Sequence, residues 1–539
     1  MRFFHLILKG FERMSHFSDT IFKRTYAFTP SEDWAGCAAR VSKFVANGDA
    51  KLEKEFFSVI STKKFLPGGR YLFSSGRKIP QLTNCFLLKA EDSREGWGRL
   101  LDKHANALST GGGVGTEYSD IRAKGVPIKG YGGSASGPIS LMAMVNEVAR
   151  HVMAGGKRRS ALWAGLSWQH PDIEDFIHAK DWDTAIKAFK EKDFNFPAIL
   201  DMTNISVGLD DEFFKKIDKD DDVWDFYYRI CKQMCKTGEP GFSINVGDKS
   251  NEILRNPCTE VVSDTDSDCC NLGSVNFGAI DSMEELEQVT AIAVRFLYNG
   301  TFIGWMPHKD FAGVRDKNRR IGVGLMGLHE WCAKHDQKYH PSRELRRWLS
   351  TWKDVSTSEA KQYANGGVSP IAVRAIAPTG TISIIAETTS GIEPIHCVSY
   401  KRRFLDVDGK WKFSYVIDPT AERLIHAGIK AEDIEDSFSL ARNVEKRISM
   451  QAFVQEYVDQ AISSTINLPE WGEPGNNNAK KFAEILLQYL PKIRGITVYP
   501  DGGRAGQPIT PVKYETAKKH TEVIYKEDEE RCAGGVCGL

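Results

Sequence analysis

Asn256-Pro257-Cys258-Thr259-Glu260 places an amide, a thiol and a carboxyl group at alternate positions of five residues. If the segment is extended, these three side chains project to one side, because strand side chains alternate with a period of two. Pro257 favours that geometry by biasing Asn256 away from the helical region. A hydrogen-bond donor, a sulfur and a base on one small surface would suit chemistry on a hydroxylated substrate. A buried cysteine beside a turn asparagine accounts equally for the pentapeptide taken alone.

The other cysteines widen the reading. The chain has 11 of them, an odd number that argues against a secreted disulfide framework. Cys258, Cys269 and Cys270 cluster, Cys85 stands in Thr83-Asn84-Cys85, and Cys532-Ala-Gly-Gly-Val-Cys537 lies near the end of the sequence. Two glycines between the last two thiols predict a mobile arm. Zinc sites use paired C-x2-4-C motifs. Here only Cys231 and Cys235 come close, with no partner pair, so they are expected to be buried thiols and no metal site is expected.

Over 539 residues, 71 Lys+Arg balance 71 Asp+Glu, with 41% hydrophobic and 26% charged residues. That composition describes a globular chain and argues against a nucleic-acid coat. Length alone suggests two to four domains unless one large α/β barrel takes most of it. No apolar run approaches a bilayer span, and Met1–Leu8 is too short for a secretory signal, so the expectation is cytoplasmic, with no membrane partner. Residues 1–65 are expected to form a helical N-terminal cap, with Met14 an alternative start. Residues 66–505 carry no long linker and alternate Gly-rich turns with helical and strand-like segments, the α/β habit. Residues 506–539 turn polar, with Lys526-Glu527-Asp528-Glu529-Glu530 before Cys532, and are expected to be a solvated tail. One helix is predicted after Ser136-Gly137-Pro138, with Ser136 as N-cap and a stripe of Ile139, Met142, Val145, Val148, Ala149 and Val152 ending at Gly155-Gly156.

Two motifs mislead. Gly322-Val323-Gly324-Leu325-Met326-Gly327 has the dinucleotide spacing but follows the charged run Arg315–Arg320 instead of a strand. His329-Glu330-Trp331-Cys332-Ala333 lacks the second histidine of a zinc protease.

The pentapeptide, followed by Cys270-Asn271-Leu272-Gly273-Ser274-Val275-Asn276, resembles the finger-loop region of ribonucleotide reductase catalytic subunits. Further segments resemble the family in its order: Thr83-Asn84-Cys85, Gly111–Gly115, Gly133–Pro138, Arg158-Arg159-Ser160-Ala161 and Gly238–Gly241. Asn318–Gly322, Pro378–Ser383, Ser390–Pro394 and the tail cysteines follow, so the resemblance spans about residues 20–539.

It implies a ten-stranded α/β barrel whose central loop carries a radical cysteine. Cys258 would be the thiyl that takes the ribose 3′-hydrogen, Glu260 would take the 3′-OH proton, and Asn256 would bond the substrate. Cys85 and Cys270 would be the reducing pair, Cys270 being preferred to Cys269 from its spacing to Asn271-Leu272-Gly273. Cys532 and Cys537 would restore that pair by exchange, themselves served by a thioredoxin or glutaredoxin-type reductant. Thr379, Gly380, Thr381 and Ser383 would hold the substrate phosphates, and Arg158, Arg159 and Ser160 would belong to the specificity loops that sense a dNTP effector.

The radical source separates the classes. One tyrosine, Tyr499, stands in Gly495–Gly503 where metal-dependent relatives carry an adjacent pair for radical transfer. With Val498 before it, the pattern resembles the adenosylcobalamin-dependent class. The alternatives are a catalytic subunit served by a separate ferritin-like metal subunit, and a non-catalytic nucleotide-binding regulatory protein. With about 65 residues ahead of the barrel, no ATP-cone domain and no on/off control by ATP and dATP are expected. Only three residues separate Gly111–Gly115 from Ser119–Arg122, where monomeric cobalamin-dependent members carry an insertion, so a homodimer is expected.

Overall fold

The computed structural model describes residues 14–130, 132–152, 160–193, 195–405, 411–502, 509–520 and 524–526. Three helices come first: α1 (His16–Thr25), α2 (Trp34–Ala46) and α3 (Ala50–Ser61). Each starts where an Oγ or carboxylate oxygen accepts from the first-turn backbone, at Ser15, Asp33 and Asp49. Their apolar faces pack with helices α5 (Met283–Ile303) and α6 (Arg343–Ala364) in one large core.

In helix α4 (Pro138–His151) Met142, Val145 and Ala149 of the predicted stripe are buried, joined by Leu141, while Ile139, Val148 and the C-cap Val152 are half-buried. Its N-cap is Gly137, with φ 80°, and not Ser136. Pro138 fills the first helical position, and the Ser136 carbonyl instead accepts from the Ser140 hydroxyl at 3.0 Å. The helix ends at His151, and the expected stop at 155–156 lies outside the described residues.

The sheet explains why the central residues are so apolar. Strands β2 (Cys85–Lys89), β3 (Gly113–Glu117), β4 (Leu162–Ser167), β5 (Thr203–Asp210) and β6 (Gly241–Asn245) run parallel in that order. Covered on both faces, such strands read as runs with little polar alternation. Inside this ring a short hairpin, β7 (Leu254–Arg255) and β8 (Val262–Ser263), carries the pentapeptide at its tip. Strand β9 (Asp268–Asn276), buried at all nine positions, runs antiparallel to β2 and parallel to β10 (Ile321–Met326). Strand β1 (Phe65–Pro67) lies along the same edge of β9 as β2.

Two outlying strands, β11 (Ser399–Leu405) and β12 (Trp411–Ile417), form a separate hairpin. The second half resumes with β13 (Thr465–Leu468) parallel to β14 (Gly495–Pro500), and β14 lies antiparallel to β6. Residues 372–376 close the ring without being a regular strand. They accept from Ile321 and Val323 on one side (3.1 and 2.8 Å) and bridge Ala461–Ser463 in parallel on the other. Nine strands and this segment thus make a ten-membered barrel of two antiparallel halves, as expected.

Glycines make room for what fills it. A Cβ on Gly115 would sit 1.8 Å from the Arg255 carbonyl oxygen, so β3 passes the finger hairpin only as glycine. The dinucleotide-like Gly322 and Gly324 lie within β10 itself, where a Cβ on Gly324 would meet the Ala375 carbonyl at 2.7 Å. Their spacing serves barrel closure.

Two strands lie inside the stretch expected to be a solvated tail. β15 (Ile509–Pro511) pairs β11 and β16 (Ile524–Lys526) pairs β12, giving a four-stranded sheet. The hairpin's open edges offer unpaired backbone groups that these segments cover. No helix among the described residues is long and apolar enough to cross a membrane.

Candidate active site

The finger tip is a turn and not the extended strand anticipated. Thr259 N donates to the Asn256 carbonyl at 2.9 Å, and Thr259 takes φ 67°. Asn204 of β5 donates through Nδ2 to the Pro257 carbonyl at 3.1 Å, and Asn256 Oδ1 accepts from Val261 N at 3.0 Å. The turn separates the three side chains that an extended chain would align. Cys258 is exposed at the tip, while Asn256 and Glu260 are buried. Both turn back to Cys85, with Asn256 Nδ2 donating to Sγ at 2.9 Å and Glu260 Oε1 at 3.9 Å from it.

Cys85 stands opposite Cys270 in the antiparallel β2–β9 register, both as thiols. Directly opposed residues have Cα atoms about 4.5–5.5 Å apart, within the span a disulfide bridges. Cys269 faces Phe86 and belongs to the outer core, whereas Cys270 joins Cys85, Leu87, Leu254 and Val261 in the cluster around the finger. Strand alternation alone separates these neighbours. Burial pushes both the Cys85 and Cys270 thiols up, so they are hydrogen donors and not thiolates.

Glu260 is 1% exposed, and its Oε2 has no partner among the described residues. Burial raises its carboxyl to about 7, against the lowering effect of Asn256. A base poised there can accept and return a proton near neutral pH.

The finger is anchored by residues to which the sequence assigned no role. Asp268 Oδ2 accepts from Ser263 Oγ (2.7 Å), Asn318 Nδ2 (3.0 Å) and Arg320 Nε (2.9 Å), with Arg320 and Asp268 side chains 2% and 0% exposed. Arg320 and Asn318 lay inside a quoted motif; Asp268 and Ser263 carried only the weak signal of polar residues flanking a cysteine pair. Arg255, fully buried, donates to Asn245 Oδ1 at 2.8 Å and to the Ile244 carbonyl at 3.2 Å, fixing the finger's base.

The turn expected to hold phosphate opens helix α7 (Gly380–Ala386). Thr379 has φ 54°, a left-handed conformation that a β-branched residue adopts only under constraint. Its hydroxyl accepts from Gly391 N at 2.8 Å, and the Ser383 hydroxyl lies 2.8 Å from that of Ser390. Gly380 is exposed with open space where a Cβ would stand, and Thr381 is half-buried. Two of the four anticipated phosphate residues therefore spend their hydroxyls on the neighbouring loop.

Ser160 is buried, its hydroxyl donating to the Val152 carbonyl at 2.6 Å, while Arg158 and Arg159 lie outside the described residues. So do Cys532 and Cys537. Tyr499, half-buried on β14, pairs with Asn467 of β13. Cys231 and Cys235 are buried core thiols. His329 accepts through Nδ1 from Ile395 N, Glu330 pairs with Arg423, and no metal-binding cluster occurs among the described residues.

Residues 12–80 match the family model described as ribonucleotide reductase, all-alpha domain. Segments 83–235, 225–352 and 342–499 match the ribonucleotide reductase barrel domain. The chain is 28% identical to the vitamin B12-dependent ribonucleoside-diphosphate reductase of Mycobacterium tuberculosis, over 93% of this chain and 77% of that one. It is 29% identical to the enzyme of the same name in Thermoplasma acidophilum, over 87% and 68%. Similarity to the ribonucleoside-diphosphate reductase subunit alpha of Chlamydia muridarum, at 28% identity, spans 53% of this chain and 32% of that one.

Proposed function

The chain belongs to the ribonucleotide reductase family, and from that premise we propose that it reduces ribonucleotides through a thiyl radical on Cys258, with adenosylcobalamin as initiator. The observation that carries this reading is the convergence of Asn256, Glu260 and Cys85 behind an exposed Cys258, with Cys270 opposed to Cys85.

Cys258, as thiyl, takes the hydrogen atom from C3′ of the ribose. Glu260 accepts the 3′-OH proton, and Asn256 hydrogen-bonds the substrate. The 2′-OH leaves as water with a proton from the Cys85–Cys270 pair. The two thiols supply two electrons and close as a disulfide, their second hydrogen going to C2′; Glu260 returns its proton to the 3′ oxygen, and Cys258 returns its hydrogen to C3′, regaining the radical. Exchange with Cys532 and Cys537, then with a thioredoxin or glutaredoxin-type dithiol, reopens the pair. Thr379, Gly380, Thr381 and Ser383 form the phosphate turn. Arg158, Arg159 and Ser160 belong to the loop through which a dNTP effector acts across a homodimer.

Adenosylcobalamin fits this arrangement at Cys258, whose exposure leaves it approachable from outside while its neighbours are enclosed. When bound, the cofactor supplies a radical able to take a hydrogen atom from a thiol. The B12-dependent relatives are similar over 93% and 87% of this chain, against 53% and 71% for two alpha subunits, which supports this reading over a separate metal subunit acting through Tyr499. Purified chain given ribonucleotide, dithiol and adenosylcobalamin, with no second protein, is expected to form deoxyribonucleotide. No turnover there, with turnover restored by a metal-carrying subunit, would establish the second reading.

A further inference from the structure

Residues 390–395 form a loop beside the phosphate turn that is held at almost every residue, by the turn itself on one side and by groups the reaction does not use on the other. Ser390 meets Ser383, and Gly391 N donates to the Thr379 hydroxyl at 2.8 Å. The Ile392 carbonyl accepts from the Tyr339 hydroxyl. Glu393 accepts from Thr465 N of β13 at 2.9 Å and pairs with Arg447 of helix α8 (Val444–Gln455). Ile395 N donates to His329 Nδ1 at 2.9 Å.

Arg447 ties these contacts together. It also donates to the Tyr339 hydroxyl and to the Thr465 carbonyl, the latter at 3.0 Å, and it is 2% exposed. Burying a guanidinium is costly unless it is paired and hydrogen-bonded. Arg447 meets both conditions, and its partners lie on a barrel strand and on the loop. The loop in turn reaches Thr379, whose left-handed backbone directs the first N–H groups of α7. No other group among the described residues is shown bonding the Thr379 hydroxyl.

We propose that Arg447, Glu393 and Tyr339 form a positioning device that references the phosphate turn to barrel strand β13, setting Thr379 through the backbone of 391–393. The proposal rests on the reading of 379–383 as the substrate phosphate site and adds to it what holds that site in register.

Calorimetric titration with cytidine diphosphate, inorganic pyrophosphate and cytidine needs neither cofactor nor turnover. In Tyr339→Phe, which removes one hydroxyl, cytidine diphosphate and pyrophosphate are expected to bind about five- to tenfold more weakly, the loss of about one hydrogen bond's worth of positioning. Affinity for cytidine should stay unchanged, KM should rise by the same factor, and kcat should stay within about twofold. Glu393→Gln, which keeps the acceptor for Thr465 N, should shift in the same direction. Unchanged phosphate affinity in both variants, or equal weakening of cytidine, would overturn the positioning role. Failure of pyrophosphate to compete with cytidine diphosphate in the unmodified protein would instead remove the phosphate-site reading, and the device with it.

Discussion

Glu260 shows how one carboxyl takes its chemistry from burial. Its ordinary value of 4.5 rises to about 7 because burial strips water from the charged form, and among the described residues Oε2 gains no donor. As the base of the proposed mechanism, it should make kcat/KM rise with pH through about 7. Glu260→Gln should abolish that limb and lower kcat by about 10²–10⁴. The same shift has a stability consequence of opposite sign. The folded value lies above the unfolded one, so the contribution is complete below about 4.5 and is lost as pH rises through about 7. Relative to Glu260→Gln, the unmodified protein should lose up to about 3 kcal/mol between pH 4 and 8, read from urea unfolding at both values. Cys258, Glu260 and Asn256 were legible as one motif. The convergence of Asn256 and Glu260 on Cys85, leaving Cys258 exposed, was not, since it depends on a turn at Thr259 that the alternation argument replaced with an extended strand.

Among elements, the finger and the strand beside it define each other. Gly115 faces the Arg255 carbonyl, a backbone atom that cannot swing aside. Gly115→Ala is therefore expected to displace the finger, destabilising the fold by about 1–3 kcal/mol or more and cutting ribonucleotide reduction by at least about tenfold, since misplacing reacting groups by an ångström is enough. Chemical unfolding and turnover measured on the same preparation check this, and wild-type values in both would mean that the finger is not held there. Helix α4 was legible in its stripe but moved by one residue at its cap, because Gly137 can take φ 80° and Pro138 already suits the first turn. The glycines of β10 were recognised as a false dinucleotide site from the charged run before them. Their actual task, admitting residues 372–376, has no local signature.

At the scale of the whole molecule, the small sheet β15-β11-β12-β16 carries the chain to Lys526, only six positions before Cys532. In the proposed cycle the two terminal thiols reopen the Cys85–Cys270 disulfide. Cys532→Ala is accordingly expected to complete about one turnover from pre-reduced protein and then stall with a thioredoxin-type reductant. Sustained turnover in a rapid-quench assay would refute the tail's role. The sequence by itself determined the chemical inventory and its order: the thiols, one carboxyl two residues from Cys258, the Gly-rich segments, and an α/β body of barrel size. Those are properties of residue type and local spacing, and they also sufficed for the family resemblance. Only the tertiary structure decided that Cys270 faces Cys85 while Cys269 faces away, that Asp268 and Arg320 anchor the finger, and that Arg447 pairs with Glu393 in the loop beside residues 379–383. Each depends on register between segments brought together by barrel closure, and a shift of one residue in a strand reverses which side chains point inward.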